Sequence, residues 1–356
     1  MRHRLNNKGQ YDVSGVGGLA AGVALGTALG IALVGPAFAG HEGLKPADYP
    51  TRPITAIVCY GKGGGADQAM TALMPPAEKM LGVRINKINK PGGGGLNCLP
   101  DFAQTPPDGY TLLHHVDALG GRYVGGRIDI NPAEDLEPLI VSNIAPNAIY
   151  VNPEDERFHD KNGKPSWEKV VEYAKANPGV KMANVNIPME LVNVARIEKS
   201  FGIKFTQVMI DRAAERYAQV IGGRIPMLWE QPGDVMAYFK AGKLAPVLSI
   251  WPERYGIYPD TPATGSDYGL EWTVLNRWRG VFVKKETPKP IVKYLAAVFK
   301  HAYFSDHHKA FIKRKSLDIV PSYRSPEGAR ELFKEEIKLY TKAFKDLGWE
   351  VRPELR

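Results

Sequence analysis

Short apolar runs alternate with stretches of helical period along the chain. Ile54-Thr55-Ala56-Ile57-Val58 has the length and composition of a buried strand and ends at Cys59-Tyr60. A glycine stretch, Gly61-Lys62-Gly63-Gly64-Gly65-Ala66-Asp67, follows, and a helical pattern starts behind it. Pro75-Pro76 predicts an interruption of that helix, and Leu81-Gly82 predicts its end. Val83-Arg84-Ile85 with Ile88 predicts a second strand, which feeds a second glycine turn from Lys90 through Gly92-Gly93-Gly94-Gly95 to Asn97. A third strand is expected at Tyr110–Leu113, behind the Pro107-Asp108-Gly109 turn.

The alternation continues. Ala148–Val151 reads as a strand, 166–176 as a helix and Val180–Ala183 as a short strand. Gln219–Ile225 closes a helix and leads into a strand at Met227-Leu228-Trp229, while the polar stretch 154–165 reads as a surface insertion. The last quarter is helical, with one helix starting near Pro290 and another running from 326 to 347, closed by Gly348. Strands alternating with helices predict an α/β fold with mostly parallel sheets, whose ligands bind at the carboxyl ends of the strands.

Composition narrows the class. With 356 residues, 44% apolar and 24% charged, the chain is an ordinary globular mixture, and two domains are expected. Residues 1–39 read as an export signal: Met1–Gln10 is basic, Val13–Ala39 is uncharged, and Ala37-Phe38-Ala39 before Gly40 is a small-x-small cleavage pattern. A retained membrane anchor is the alternative. Either way the rest of the chain is expected outside the cytoplasm, in the periplasm. Residues 281–356 hold 17 Lys or Arg and 10 Asp or Glu, so the basicity belongs to the C-terminal helices. There Lys and Glu alternate as on a solvated helix face, which argues against nucleic-acid binding.

The glycine stretches carry the chemistry. Strand, glycine loop and helix together point backbone N–H groups and a helix N-terminus at an anion. Lys62 precedes the glycines, so the phosphate-loop pattern fails; two separate loops suit a carboxylate clamp, and backbone donors bind without supplying acid or base. No cofactor is expected. No metal is expected either, because His114 and His115 sit next to each other on a strand and point to opposite faces. Cys59 and Cys98 both flank glycine loops; a disulfide and two buried thiols stay open as readings. Arg277 and Arg279 flank Trp278 and share one strand face, so one of them could clasp a carboxylate, a surface salt bridge being the alternative.

At these loops the chain resembles one receptor family. Tyr49-Pro50-Thr51-Arg52-Pro53-Ile54 and the glycine loop ending in Asp67 are followed, in order, by Asn89–Gly95, Pro106–Leu113, Gly222-Gly223-Arg224, Ala241–Leu244, Pro259–Pro262 and Thr287–Pro290. The ordered set resembles the periplasmic substrate-binding proteins of tripartite tricarboxylate transporters, also called Bug receptors. That resemblance implies a type II-like two-lobed fold, with lobe one spanning 43–142 and 276–356 and lobe two 143–275. It implies a monomer that closes on a small organic anion and delivers it to a membrane permease.

The resemblance also implies a ligand set. From lobe one it comprises Lys62, Gly63, Gly64, Gly65, Ala66, Asp67 and Gln68, then Pro91, Gly92, Gly93, Gly94, Gly95 and Asn97. His115 and Asp117, beyond the third strand, are further candidates for the ligand site on their position and chemistry, apart from the resemblance. Lobe two would contribute Asn184, Asn186, Asp211, Arg212 and Glu230, and Trp278 matches the aromatic that opens the returning strand. The chain departs from the family at Lys62, at Asn184, Asn186 and Met189, and at Met209–Arg212. The extra cation and amides imply an acid with a polar or second anionic end; Asp211, Glu230 and Asp234 would equally receive an amine. Two other functions stay open: a sensory module presenting its ligand to a membrane kinase, and an exported enzyme using His115 and Asp117 as acid and base.

Overall fold

The computed structural model describes residues 42–270 and 274–356, and the export segment lies outside them. The first half of the chain runs β1 (Ile54–Val58), α1 (Gly65–Leu81), β2 (Ile85–Asn89), α2 (Leu99–Ala103), β3 (Thr111–Val116), α3 (Ala118–Val124), β4 (Leu136–Ala145) and β5 (Asn147–Val151). It continues with α4 (Trp167–Ala176), β6 (Val180–Asn184), α5 (Pro188–Phe201), β7 (Phe205–Met209), α6 (Ala213–Ile221), β8 (Met227–Glu230), α7 (Pro232–Lys240) and β9 (Ala245–Ile250). The closing part is β10 (Arg277–Lys284), α8 (Lys289–Phe304), α9 (Asp306–Arg314) and α10 (Pro326–Asp346).

These strands form two sheets. The first has the order β2-β1-β3-β10-β4 and the second β7-β6-β8-β5-β9. In the first, β1 is parallel to β2 and β3, while β10 runs against both its neighbours. In the second, β6 is parallel to β7 and β8, while β5 runs against β8 and β9. One opposing strand per sheet makes both mixed, with the remaining strands sharing a direction. β4 stays in the first sheet through Ala145, so the chain passes to the second at Pro146, slightly beyond the expected boundary at 142–143. It returns between Ile250 and Arg277.

Alternation along β5 sets the layers. Ile149 joins an apolar cluster with Met182 and Trp229, and Tyr150 joins another with Ala183 and Leu228 on the opposite face. The C-terminal helices close the first sheet with buried Phe299, Phe333 and Tyr340, each such side chain contributing about 1.5–3 kcal/mol on burial. The interruption expected at Pro75-Pro76 does not occur: α1 runs unbroken to Leu81 and is capped by Gly82 at φ 74°. Pro75 lies on the exposed face, where a carbonyl that loses its N–H partner meets water, while Leu73, Ala77 and Leu81 anchor the other face in the core.

Candidate functional site

The parallel strands of both sheets deliver their carboxyl ends to one region. From β1 the chain enters the first glycine loop, where Gly63 takes φ 77° and its N–H donates 2.9 Å to the Asp67 carboxylate. Asp67 also accepts from Asn89 Nδ2 at 2.9 Å and pairs with Lys87 Nζ at 2.5 Å. Burial pushes this carboxyl up, and those hydrogen bonds outweigh it and hold it below the usual range. Gln68 Nε2 donates 2.7 Å to the Gly63 carbonyl. Asp67 and Gln68 therefore spend their side chains bracing the loop, and Lys62 stands exposed at its tip.

The second turn leaves β2. Gly92, Gly93, Gly94 and Gly95 all have positive φ, which a side chain rarely tolerates. Tyr60 Oη donates 3.2 Å to the Gly94 carbonyl, and His115 Nε2 lies 2.8 Å from the Gly95 carbonyl. Val116 N–H donates 2.9 Å to His115 Nδ1, so Nε2 carries the proton and donates to Gly95. Burial lowers the pKa of this ring and keeps it neutral. His115 is thus a brace for the turn, with both ring nitrogens committed. Cys59 and Cys98 are joined in a disulfide of 1.98 Å that ties the end of β1 to the start of α2. Their sulfurs lie close to His115, but bonded to one another they are not thiolate ligands. Pro91 and Asn97 are exposed at the rim.

The second sheet supplies the opposite wall. Asn184, at the end of β6, donates 2.5 Å to Gln207 and keeps a buried Oδ1 without a partner. The Asn186 carbonyl meets the Arg122 guanidinium and also lies against Gly94, so the second glycine turn touches the second sheet's loop. Asp211 is half-buried, and Arg212 is exposed at the start of α6. Glu230 is consumed inside its own lobe by Arg216, by Tyr217 Oη at 2.8 Å and by Gln231 N–H at 3.0 Å. Burial pushes its carboxyl up, and Arg216 overrides that and holds it down. It has no capacity left for a ligand amine.

β10 places its side chains on opposite faces. Trp278 does not face this region: it is 2% exposed, donates from Nε1 to Glu336 at 2.9 Å, and packs on Phe333 with ring centroids 4.8 Å apart. Strand alternation that turns Trp278 to α10 turns Arg277 and Arg279 the other way, into the space between the sheets. Both are buried, which rules out a surface salt bridge. Arg277 pairs with Asp117 at 2.8 Å and with Glu190 of α5 at 2.5 Å. Burial raises the Asp117 carboxyl to about 6 and the Glu190 carboxyl to about 7, against the pull of Arg277. Arg279 contacts Asn143 Oδ1 at 2.6 Å, Gln231 Oε1 at 2.7 Å and Asp234 Oδ2 at 2.9 Å.

Sequence patterns mark the two glycine turns and the shared face of the arginines. They carry no mark for Arg122, Asn143 or Gln231, which are single polar residues placed by packing. A separate depression of about 600 Å³ lies away from both turns, lined by residues such as Lys175, Lys199, Glu198 and Trp349.

The family model described as the tripartite tricarboxylate transporter family receptor matches residues 72–348. A UPF0065 protein in the gbd 5′ region of Cupriavidus necator is 27% identical over 309 residues, covering 84% of this chain and 89% of its own. MatC from Rhodopseudomonas palustris, solved with bound malate, superposes with a TM-score of 0.72 at 20% identity, over 83% of this chain and 99% of its own. Rpa4515 of R. palustris, solved with adipate, gives 0.74 at 21% identity over 85% and 99%. At these identities the two structures speak for the two-lobed fold.

Proposed function

The chain belongs to the tripartite tricarboxylate transporter receptor family, and from that premise we propose that it captures a small organic acid between its lobes in the periplasm and passes it, as a monomer, to a membrane permease. One observation carries the reading most directly: the glycine turn at the carboxyl end of β1 meets buried Arg279 of β10, and the turn at the carboxyl end of β2 meets Arg122 and the Asn186 loop of the second sheet. In this reading lobe one, 43–145 with 277–356, offers backbone N–H groups from Gly65–Ala66 and Gly92–Gly94, those of Gly63, Gly64 and Gly95 being spent inside their own turns. Lobe two, 147–250, closes over them with Asn184, Asn186 and Asp211. Lys62, Gln68, Pro91, Asn97 and Arg212 stand at the rim. His115, Asp67 and Asp117 hold the cradle in shape, and an acid-base role for His115 conflicts with its two committed nitrogens.

Malate and adipate, bound by the two related structures, are dicarboxylates, and a cleft in which Arg279 Nε and Asn143 Nδ2 are buried without an acceptor suits the same class. The test is a thermal-shift screen of purified, ligand-stripped protein against mono-, di- and tricarboxylates, aromatic acids and amino acids. An acid at ~100 times its dissociation constant should add about 2.7 kcal/mol of stability, a rise of several degrees. The acid should be recovered chemically unchanged, in a ratio of one per chain. A shift produced only by uncharged solutes or amines, or turnover of the acid, would sink the reading.

A further inference from the structure

We propose that Arg279 is the side chain that selects the ligand's carboxylate, and that the chain's own Asp234 carboxylate holds the ligand's place until it arrives. The inference rests on the receptor reading above and names the residue that gives that site its charge preference.

Arg279 is paired in register with Val116, at the carboxyl end of β3, and is 2% exposed. Two neutral oxygens, Asn143 Oδ1 at 2.6 Å and Gln231 Oε1 at 2.7 Å, fix the guanidinium from opposite sheets. Its orientation therefore does not depend on a carboxylate. Asp234 comes from the first turn of α7, and among the described residues its ion pair is with Arg279, at 2.9 Å.

Gly65 shows where the pair sits. A methyl group at Gly65 would land on Arg279 Nη2 and Asp234 Oδ2. Gly65 opens α1, and first-turn N–H groups have no acceptor inside their own helix. The head of α1 is the geometry that attracts an anion, and an anion is already there, supplied by the other lobe.

The pair leaves donors unused. Arg279 Nε and Asn143 Nδ2 are both buried without an acceptor. An ionised carboxyl offers two oxygens with about four lone-pair sites. A free carboxylate entering at Arg279 can satisfy donors that Asp234, tethered to α7 and reaching with one oxygen, does not. Asp234 has another cation near it when displaced, since Lys315 interacts with both Asp234 and Arg279. A buried guanidinium at this position rejects amines and gains little from neutral ligands, so the site selects for negative charge.

The experiment is isothermal titration of the wild-type chain, Asp234→Asn, Arg279→Gln, Arg279→Lys and the double variant Asp234→Asn/Arg279→Gln with malate and with adipate. Removing the internal carboxylate should tighten binding about tenfold, because the ligand no longer competes with Asp234. Arg279→Gln should weaken it on the order of 100-fold, the scale of a charge-assisted pair. Arg279→Lys should fall between, because it keeps the charge and loses the fork. The double variant buries no unpaired charge, so it remains folded and should bind as weakly as Arg279→Gln even if that single variant is unstable. Wild-type binding that Arg279→Gln and the double variant leave unchanged, or an Asp234→Asn variant no tighter than wild type, overturns this inference alone. If neither acid nor any other carboxylate binds any of the five proteins, the receptor reading falls and this inference with it.

Discussion

A methyl group tells Gly64 from Gly65. At Gly64 the backbone is at φ −75° and ψ 167°, open to any residue, and an added Cβ would meet the Gly61 carbonyl at 3.3 Å. At Gly65 the same methyl displaces the Arg279–Asp234 pair that joins the lobes. Gly64→Ala should therefore leave carboxylate affinity within about twofold, while Gly65→Ala should lower it on the order of tenfold. Gly65→Ala should melt near the wild-type temperature, since Ala is the better helix former and the groups displaced are side-chain ends, while Gly64→Ala, at the N-cap, should cost about 1 kcal/mol at most. Titration calorimetry reads the difference, and equal affinities would remove Gly65 from the cradle. At this scale the charged and ring side chains near the turns divide by where their atoms are already spent. Asp67 and His115 hold backbone, whereas Arg279 retains an unused Nε.

The second glycine turn is an element with little regular structure to stabilise it, because four successive residues with positive φ cannot join a helix or a strand. It is held instead by ties at each end, and the Cys59–Cys98 disulfide is the covalent one. With the cysteines 39 positions apart in the sequence, the bond restricts the unfolded chain by about 4 kcal/mol. Replacing both cysteines with Ala should lower the melting temperature on the order of 10 °C. Reductant should lower wild type toward the variant and leave the variant unmoved. A reduced wild-type protein that melts at the oxidised temperature would remove the structural role. Elements of this kind were legible in the sequence because glycine runs and apolar pentads are properties of the local backbone. The unbroken α1 was not, since tertiary anchoring by Leu73, Ala77 and Leu81 overrides the local cost of Pro75-Pro76. Nor was the facing of Trp278. Alternation shows that it opposes Arg277 and Arg279, but only the packing of α10 on the first sheet decides which side is core. The cross-lobe partner of Arg277, Glu190, lies 87 residues away on α5, beyond any spacing pattern.

Across the whole molecule the two sheets share one apolar cluster and also meet through buried charge. Arg277 stands between Asp117 of its own lobe and Glu190 of the other, with Glu336 buried nearby and Tyr60 facing the same guanidinium. One cation cannot fully compensate two carboxylates shut away from water, so burial raises Asp117 from 3.8 to about 6 and Glu190 from 4.5 to about 7. Both carboxyls hold their protons more tightly folded than unfolded. The stability linked to them is therefore complete below about pH 4 and is lost as pH rises through 6 and 7. Opening the lobes returns Glu190 to water and has the same sign, so mild acid should favour the closed form. Glu190→Gln mimics the protonated carboxyl and still offers an oxygen to Arg277. Its melting temperature should fall less than that of wild type between pH 5 and pH 8, and the two curves should converge at the acid end. Melting curves in matched buffers, without ligand, measure this directly. Parallel curves would mean that Glu190 stays ionised throughout, and that the contact between the lobes is a fixed ion pair with no proton in it.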